Sequence, residues 1–105
     1  MANKLQYLTP AYNDLEAIVK KHLNEVGVLS AKKIYLTIKD SIDRLKDFPL
    51  IGQTHPDPLL AKFSFRKLVI SKRYVAVYKI INDVVYIYRI VDARTDYPKL
   101  IADNF

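Results

Sequence analysis

The chain has 105 residues, half of them apolar, and no cysteine; this suits one domain over residues 1–105 and excludes disulfides, thiolate metal sites and a thiol nucleophile. The formal charge is +6, and it is unevenly spread: residues 1–61 hold eight Lys or Arg against seven Asp or Glu, residues 62–99 nine against three. Such asymmetry points to an acidic partner or a nucleic acid. The opening Met1-Ala2-Asn3-Lys4 lacks the apolar core of a signal peptide, and no apolar run is long enough to span a bilayer, so a soluble cytoplasmic protein without membrane attachment is expected.

Leu5–Leu8 reads as a short first strand. Thr9-Pro10 then has the form of an N-cap followed by proline at the first helical position. Tyr12, Leu15, Ile18, Val19, Leu23 and Val26 recur at helical spacing, with Asp14 and Glu16 at the positive helix end and Gly27 as the stop. Ser30 reads as the next N-cap. Ala31, Ile34, Tyr35, Ile38, Ile42 and Leu45 form a second apolar stripe, closed by Pro49 and Gly52. Residues 53–62, with two prolines close together, read as a loop. The period then becomes strand-like over Phe63–Ser71, Tyr74–Ile81 and Val84–Val91, with Asn82-Asp83 as a two-residue hairpin turn. Pro98–Phe105 reads as a helical turn or a frayed end. The expected fold is α+β, a curved antiparallel sheet with an N-terminal helical hairpin packed on one face (β-α-α-β-β-β).

The strand region interleaves cations and aromatic rings: Phe65-Arg66-Lys67, Lys72-Arg73-Tyr74, Tyr78-Lys79, Tyr86, Tyr88-Arg89 and Arg94-Thr95-Asp96-Tyr97. Arginine and lysine bind phosphate or carboxylate, and tyrosine can stack on bases. Alternation puts Tyr74, Ala76, Tyr78 and Ile80 on one face of their strand and Val75, Val77, Lys79 and Ile81 on the other; one face must meet the helices, and the remaining one is a candidate concave basic surface. His22 lies on the first helical stripe and reads as a packing or edge residue. His55, beside Asp57 in the Pro-rich loop, reads as a solvated histidine, with acid–base chemistry as its alternative use. Asp40 and Asp43 are expected to face water or to pair with Lys39, Arg44 or Lys46. With two well-separated glycines there is no phosphate-cradling loop, and no metal or cofactor is expected.

The ordered set of segments resembles the RelE/ParE toxin superfamily almost from end to end. The segments are Asp14-Leu15-Glu16-x-Ile18, Ser30-Ala31, Leu45-Lys46-Asp47-Phe48-Pro49-Leu50-Ile51-Gly52-Gln53, Phe65–Ile70, Tyr74–Ile80 and Val85–Tyr97. The resemblance implies the toxin half of a type II toxin–antitoxin pair, neutralised by a cognate acidic antitoxin. The Phe-Pro-x-Ile-Gly ending of the hairpin is more like the ParE branch, whose typical members inhibit DNA gyrase. The alternative is the RelE branch, which cleaves messenger RNA on the ribosome; a non-toxic relative that binds nucleic acid or protein is a third reading. Nuclease members usually carry an arginine where this chain has Val75 and tend to carry a lysine where it has Leu68. Arg66 and Arg94 match basic positions of that branch, Tyr97 lies near its C-terminal tyrosine, and Arg73 shares the expected face of Val75. If the chain is a nuclease, Arg66, Arg73, Arg94 and Tyr97 are the catalytic candidates; for target or antitoxin binding they are Arg66, Lys67, Arg73, Arg89, Arg94 and Tyr97.

Overall fold

The computed structural model describes residues 3–103. In chain order the elements are β1 (Lys4–Tyr7), α1 (Thr9–Glu25), α2 (Val28–Asp43), a 3-10 turn (Arg44–Lys46), β2 (Gln53–Thr54), α3 (Pro58–Lys62), β3 (Arg66–Ile70), β4 (Tyr74–Ile81), β5 (Val84–Asp92) and α4 (Pro98–Ala102). The strands form one sheet in the order β1-β5-β4-β3-β2. β1 runs parallel to β5, and the other pairs are antiparallel. The α+β class and the helical hairpin on one face are as expected; Asn104 and Phe105, the end of the anticipated last element, lie outside the described residues.

Local physics explains where the elements begin and end. Thr9 is not a cap: Leu8 occupies the cap position without a side-chain bond, and Thr9 and Pro10 are the first helical residues. Pro10 loses nothing there, because the first turn has no intrahelical acceptors for its N–H groups. Gly27, at φ +137, caps α2 instead of merely stopping α1. A side chain at that φ would be strained. Ser30 therefore falls inside the first turn, where its hydroxyl meets His22 Nδ1 at 3.1 Å. The expected loop at 53–62 holds two elements: β2 pairs with β3, and α3 starts at Asp57, whose carboxylate accepts from the N–H groups of Leu59 and Leu60 at 3.0 and 3.2 Å. The following strand is correspondingly shorter than Phe63–Ser71, since Phe63 caps α3 and Ser64 takes φ 65. Asn82 and Asp83 have φ 49 and 65, the left-handed pair that a tight hairpin needs.

The sheet separates two cores. On one face α1 and α2 bury Ala11, Leu15, Ile38, Ile42 and Leu45 against Ile70, Tyr74, Ala76, Tyr78, Val85, Ile87 and Ile90. Each fully buried aliphatic there contributes about 1.5–3 kcal/mol. On the other face α3 and α4 cover Val75, Val77 and Val91 with Leu60, Phe65, Tyr97, Ile101 and Ala102. The alternation along β4 is thus as anticipated. The second face, however, is largely sealed by a small apolar layer and does not form an open basic concavity.

Candidate functional site

The β4–β5 register steps from Val77↔Arg89 to Tyr78↔Ile87, so Tyr88 is an extra residue on β5 at that point. An extra residue of this kind re-aims its neighbours. Arg89 and Ile90 both serve the α1 side as a result. Asp14 of α1 accepts from Arg89 Nε at 2.6 Å and Nη2 at 3.0 Å, and also from the Ile90 N–H at 2.9 Å. β1 ends opposite Ile87, which leaves the edge of β5 beyond it open to a side-chain acceptor. The Asp14 bond holds the Arg89 guanidinium more firmly protonated than usual. Arg89 is therefore first a bracket between α1 and the sheet.

Arg66 is committed in the same way. Its Nη2 donates to Gly52 O at 2.6 Å and Leu50 O at 3.4 Å, and Nη1 to Thr54 Oγ1 at 3.4 Å. Tyr78, fully buried, reaches the same loop: its hydroxyl donates to Pro49 O at 2.7 Å and accepts from the Gly52 N–H at 3.2 Å. Sequence reasoning missed this role of Tyr78. The Pro49-x-x-Gly52 pattern was its only trace, and it was read as a helix stop.

His55 is buried, contrary to the solvated reading. Its Nδ1 accepts from the Asp57 N–H at 3.0 Å, so Nε2 carries the proton and donates to Tyr97 Oη at 2.8 Å. Burial, aided by Lys67, holds the imidazole below its ordinary pKa, against a smaller opposing pull from Asp57. Burial also pushes the Tyr97 phenol up. Both ring nitrogens are occupied, which removes His55 as a ready general base. Its geometry is that of a clasp between the β2–α3 segment and α4. Lys67 is half-buried beside it.

Arg94 is exposed and forms a bidentate pair with Asp92 at 3.0 and 2.8 Å. That pairing holds the Asp92 carboxyl far below the usual carboxylate range. Arg73 departs from the expected face. It precedes β4, after Ser71 and Lys72 at φ 53 and 59, and alternation does not extend through such a turn. Its guanidinium lies 5.3 Å from the Tyr74 ring centroid, and it lines a cleft with Lys21 and Ala17 of α1. It therefore sits on the helical side, whereas Val75 faces the second core. Arg66 stands opposite Tyr78 and Asp92 opposite Tyr74, four residues apart on β4, or about 13 Å along the strand. Arg66, Arg94 and Tyr97 thus make three separate structural contacts and share none among the described residues.

Two features look outward. Between the hairpin helices, Tyr7, Tyr12, Leu15, Val19, Leu23 and Tyr35 line an apolar groove of about 380 Å³, edged by Glu16, Lys20 and Lys39. The Tyr7 hydroxyl is buried there and has no hydrogen-bond partner among the described residues. The other feature is the loop that Tyr78 and Arg66 hold, which exposes Phe48, Leu50 and Ile51. The described residues contain no group of His, Cys, Asp and Glu that could hold a metal ion, and no helix long and apolar enough to cross a membrane.

Among solved structures, the chain is similar to one described as the chromosomal ParDE toxin–antitoxin system from P. aeruginosa. The two share 20% identity at a TM-score of 0.73, over 87% of this chain and 96% of that one. It is also similar to a chain of the toxin–antitoxin complex RelBE2 from Mycobacterium tuberculosis, at 19% identity and a TM-score of 0.58, over 88% and 99% of the two chains. At these identities the likeness is one of fold. No curated protein sequence matches. A family model, described as the ParE toxin of type II toxin-antitoxin system, parDE, matches residues 5–97. That span carries the hairpin, all of the sheet but Lys4, and the Tyr97 clasp, and the chain belongs to the ParE toxin family of type II toxin–antitoxin systems.

Proposed function

We propose that this toxin arrests growth by binding a protein target, DNA gyrase first among the candidates, and not by cutting RNA. The observation that carries the reading is Val75. It is 2% exposed and packed beneath α3 and α4, where a ribosome-dependent nuclease would present a cation. Attack by a 2′-hydroxyl needs a base or orienting group and cations on the phosphate, and one well-placed cation is commonly worth on the order of 3–4 kcal/mol. Here Arg66 holds a loop, Arg94 holds Asp92, and His55 and Tyr97 hold each other. Arg73, the anticipated stand-in, lies on the helical side.

An acidic antitoxin is the partner that the charge favours, and the groove between α1 and α2 suits an amphipathic segment of it. Apolar side chains would fill the groove, carboxylates would meet Lys20 and Lys39, and an acceptor would satisfy the Tyr7 hydroxyl. Electrostatic steering gives fast association that slows as salt rises. The test pairs a supercoiling assay on gyrase and purified toxin with primer extension on messenger RNA from induced cells. Inhibited supercoiling with intact messages is expected. Codon-dependent cuts that vanish in Arg94→Ala, with supercoiling untouched, would move the chain to the nuclease branch.

A further inference from the structure

The loop between the 3-10 turn and β2 is unusual in what it exposes and in how it is held. Phe48, Leu50 and Ile51 are 63%, 68% and 51% exposed, three large apolar side chains in four consecutive residues. Single exposed apolar residues need no explanation; a contiguous set does. An apolar loop of this kind would ordinarily be free to fold its side chains inward. This one is prevented from doing so by the Tyr78 hydroxyl on Pro49 O and the Gly52 N–H, by Arg66 on Gly52 O, and by its own Ile51 N–H to Phe48 O turn at 3.1 Å. Gly52 completes the clamp, because a Cβ there would lie 2.5 Å from Lys67 O and Tyr78 Oη. The backbone is pre-organised while the side chains stay in water, and pre-organisation of this sort lowers the ordering cost of binding.

We infer that Phe48, Leu50 and Ile51 form the anchor by which the toxin grips its protein target, seated in a concave apolar pocket rimmed by carboxylates. Three residues are too few for a whole interface but match the few central anchors that dominate one. The cations beside the loop choose the occupant. Arg44 and Lys46 precede it on the chain and Arg66 lies beneath it; set against them are the exposed Asp47 and the half-buried Asp43, which pairs with Lys46 at 3.9 Å and leaves a positive balance. A second copy would bring the same cations, and a chain of net charge +6, against themselves. A pocket with acidic edges is attracted instead. The inference rests on the protein-binding reading above and assigns that function to a surface separate from the groove between the helices.

The experiment compares the wild-type toxin with Phe48→Ser/Leu50→Ser, which alters only exposed side chains, and with Tyr78→Phe, which keeps the side chains and removes two bonds of the clamp. Growth arrest on graded induction, supercoiling inhibition, messenger cleavage and affinity for the cognate antitoxin are read for each. The double variant should need at least about 30-fold more toxin for half-arrest, with antitoxin affinity within about twofold of wild type. Tyr78→Phe should show a smaller loss in the same direction. Equal arrest by wild type and double variant overturns the inference, and so does parallel loss of antitoxin binding. A wild-type chain that arrests growth yet leaves gyrase untouched removes gyrase from the proposal, while loss of arrest in the double variant still supports the anchor. A wild-type chain that cuts messages, or that arrests nothing, overturns both.

Discussion

The two faces of the sheet are held by different physics. On the hairpin face, α1 and α2 lay repeated aliphatic side chains along the strands, and Ile38, Ile42 and Leu45 are wholly buried. Stability there is spread over many similar contacts. On the other face, α3 and α4 are five residues each, too short to persist without tertiary support. Beside their small apolar cluster, this face relies on single directed contacts: the Asp57 cap, the His55–Tyr97 bond, and Lys79, whose ammonium lies 4.3 Å from the Phe65 ring centroid and within 6 Å of two other rings. The broad face draws its stability from apolar volume, and the narrow one adds to a smaller core a few directed contacts. Of the nuclease-type positions, Val75 and Tyr97 belong to the narrow face, whereas Arg66 stands opposite Tyr78 and Arg73 lies against Tyr74, both residues of the hairpin-face core.

The sharpest contrast comes from one deletion on each face. Ile38→Ala should cost about 2–5 kcal/mol, because the hairpin cannot collapse into the space without shifting along the sheet. Denaturant midpoints measure it. Tyr97→Phe should cost about 1–3 kcal/mol, leaving the buried His55 Nε2–H without an acceptor. The two should add within about 0.5 kcal/mol in the double variant, since the sheet separates them. A Tyr97→Phe variant as stable as wild type would show that apolar packing alone holds the second face. A smaller effect is a titration. With its folded pKa depressed, His55 takes up a proton more readily in the unfolded chain, so its contribution is complete above about pH 6.5 and declines as the pH falls toward the folded value. Stability should therefore decline as the pH falls below about 6.5, and His55→Gln should flatten that decline. Asp92, held low by Arg94, titrates well below that window. The smallest effect is on the hairpin's outer surface, where Lys39→Ala removes an exposed bridge to Asp43 and should cost about 0.3–0.5 kcal/mol.

The same contrast governs what could be read from the sequence. The hairpin face is periodic: Leu15, Ile18 and Val19 on one helix, Ile38, Ile42 and Leu45 on the other, and alternate residues of β4 report their burial through spacing alone. The narrow face has no period. Asp57-Pro58 carries the same start signal as Thr9-Pro10, but no apolar repeat follows it, and α3 went unseen. His55 gave no sign of burial because what buries it, Tyr97 with α4, lies about forty residues downstream. The parallel direction of β1 is equally silent, since alternation is the same in either sense. The arginines were legible as a cluster in composition and illegible as partners: Asp14 and Gly52 meet Arg89 and Arg66 only through the fold, while Asp92 meets Arg94 two residues on, in the turn after β5.

The pairing of β1 with β5 also sets a timetable for synthesis. Lys4 stands opposite Val84 and Tyr7 opposite Ile87, 80 residues apart in each case. Closing a loop of that length carries a length-dependent entropy cost of about 4 kcal/mol, and at a translation rate of roughly 5–20 residues per second the first strand waits about 4–16 seconds for its partner to be made. The hairpin waits with it, because its floor is built from β4 and β5. Throughout that interval the helical stripes have nothing native to cover, and the nascent chain is a client for whatever shields apolar helices. The toxin's native fold is thus assembled late in translation, after most of the chain has been made.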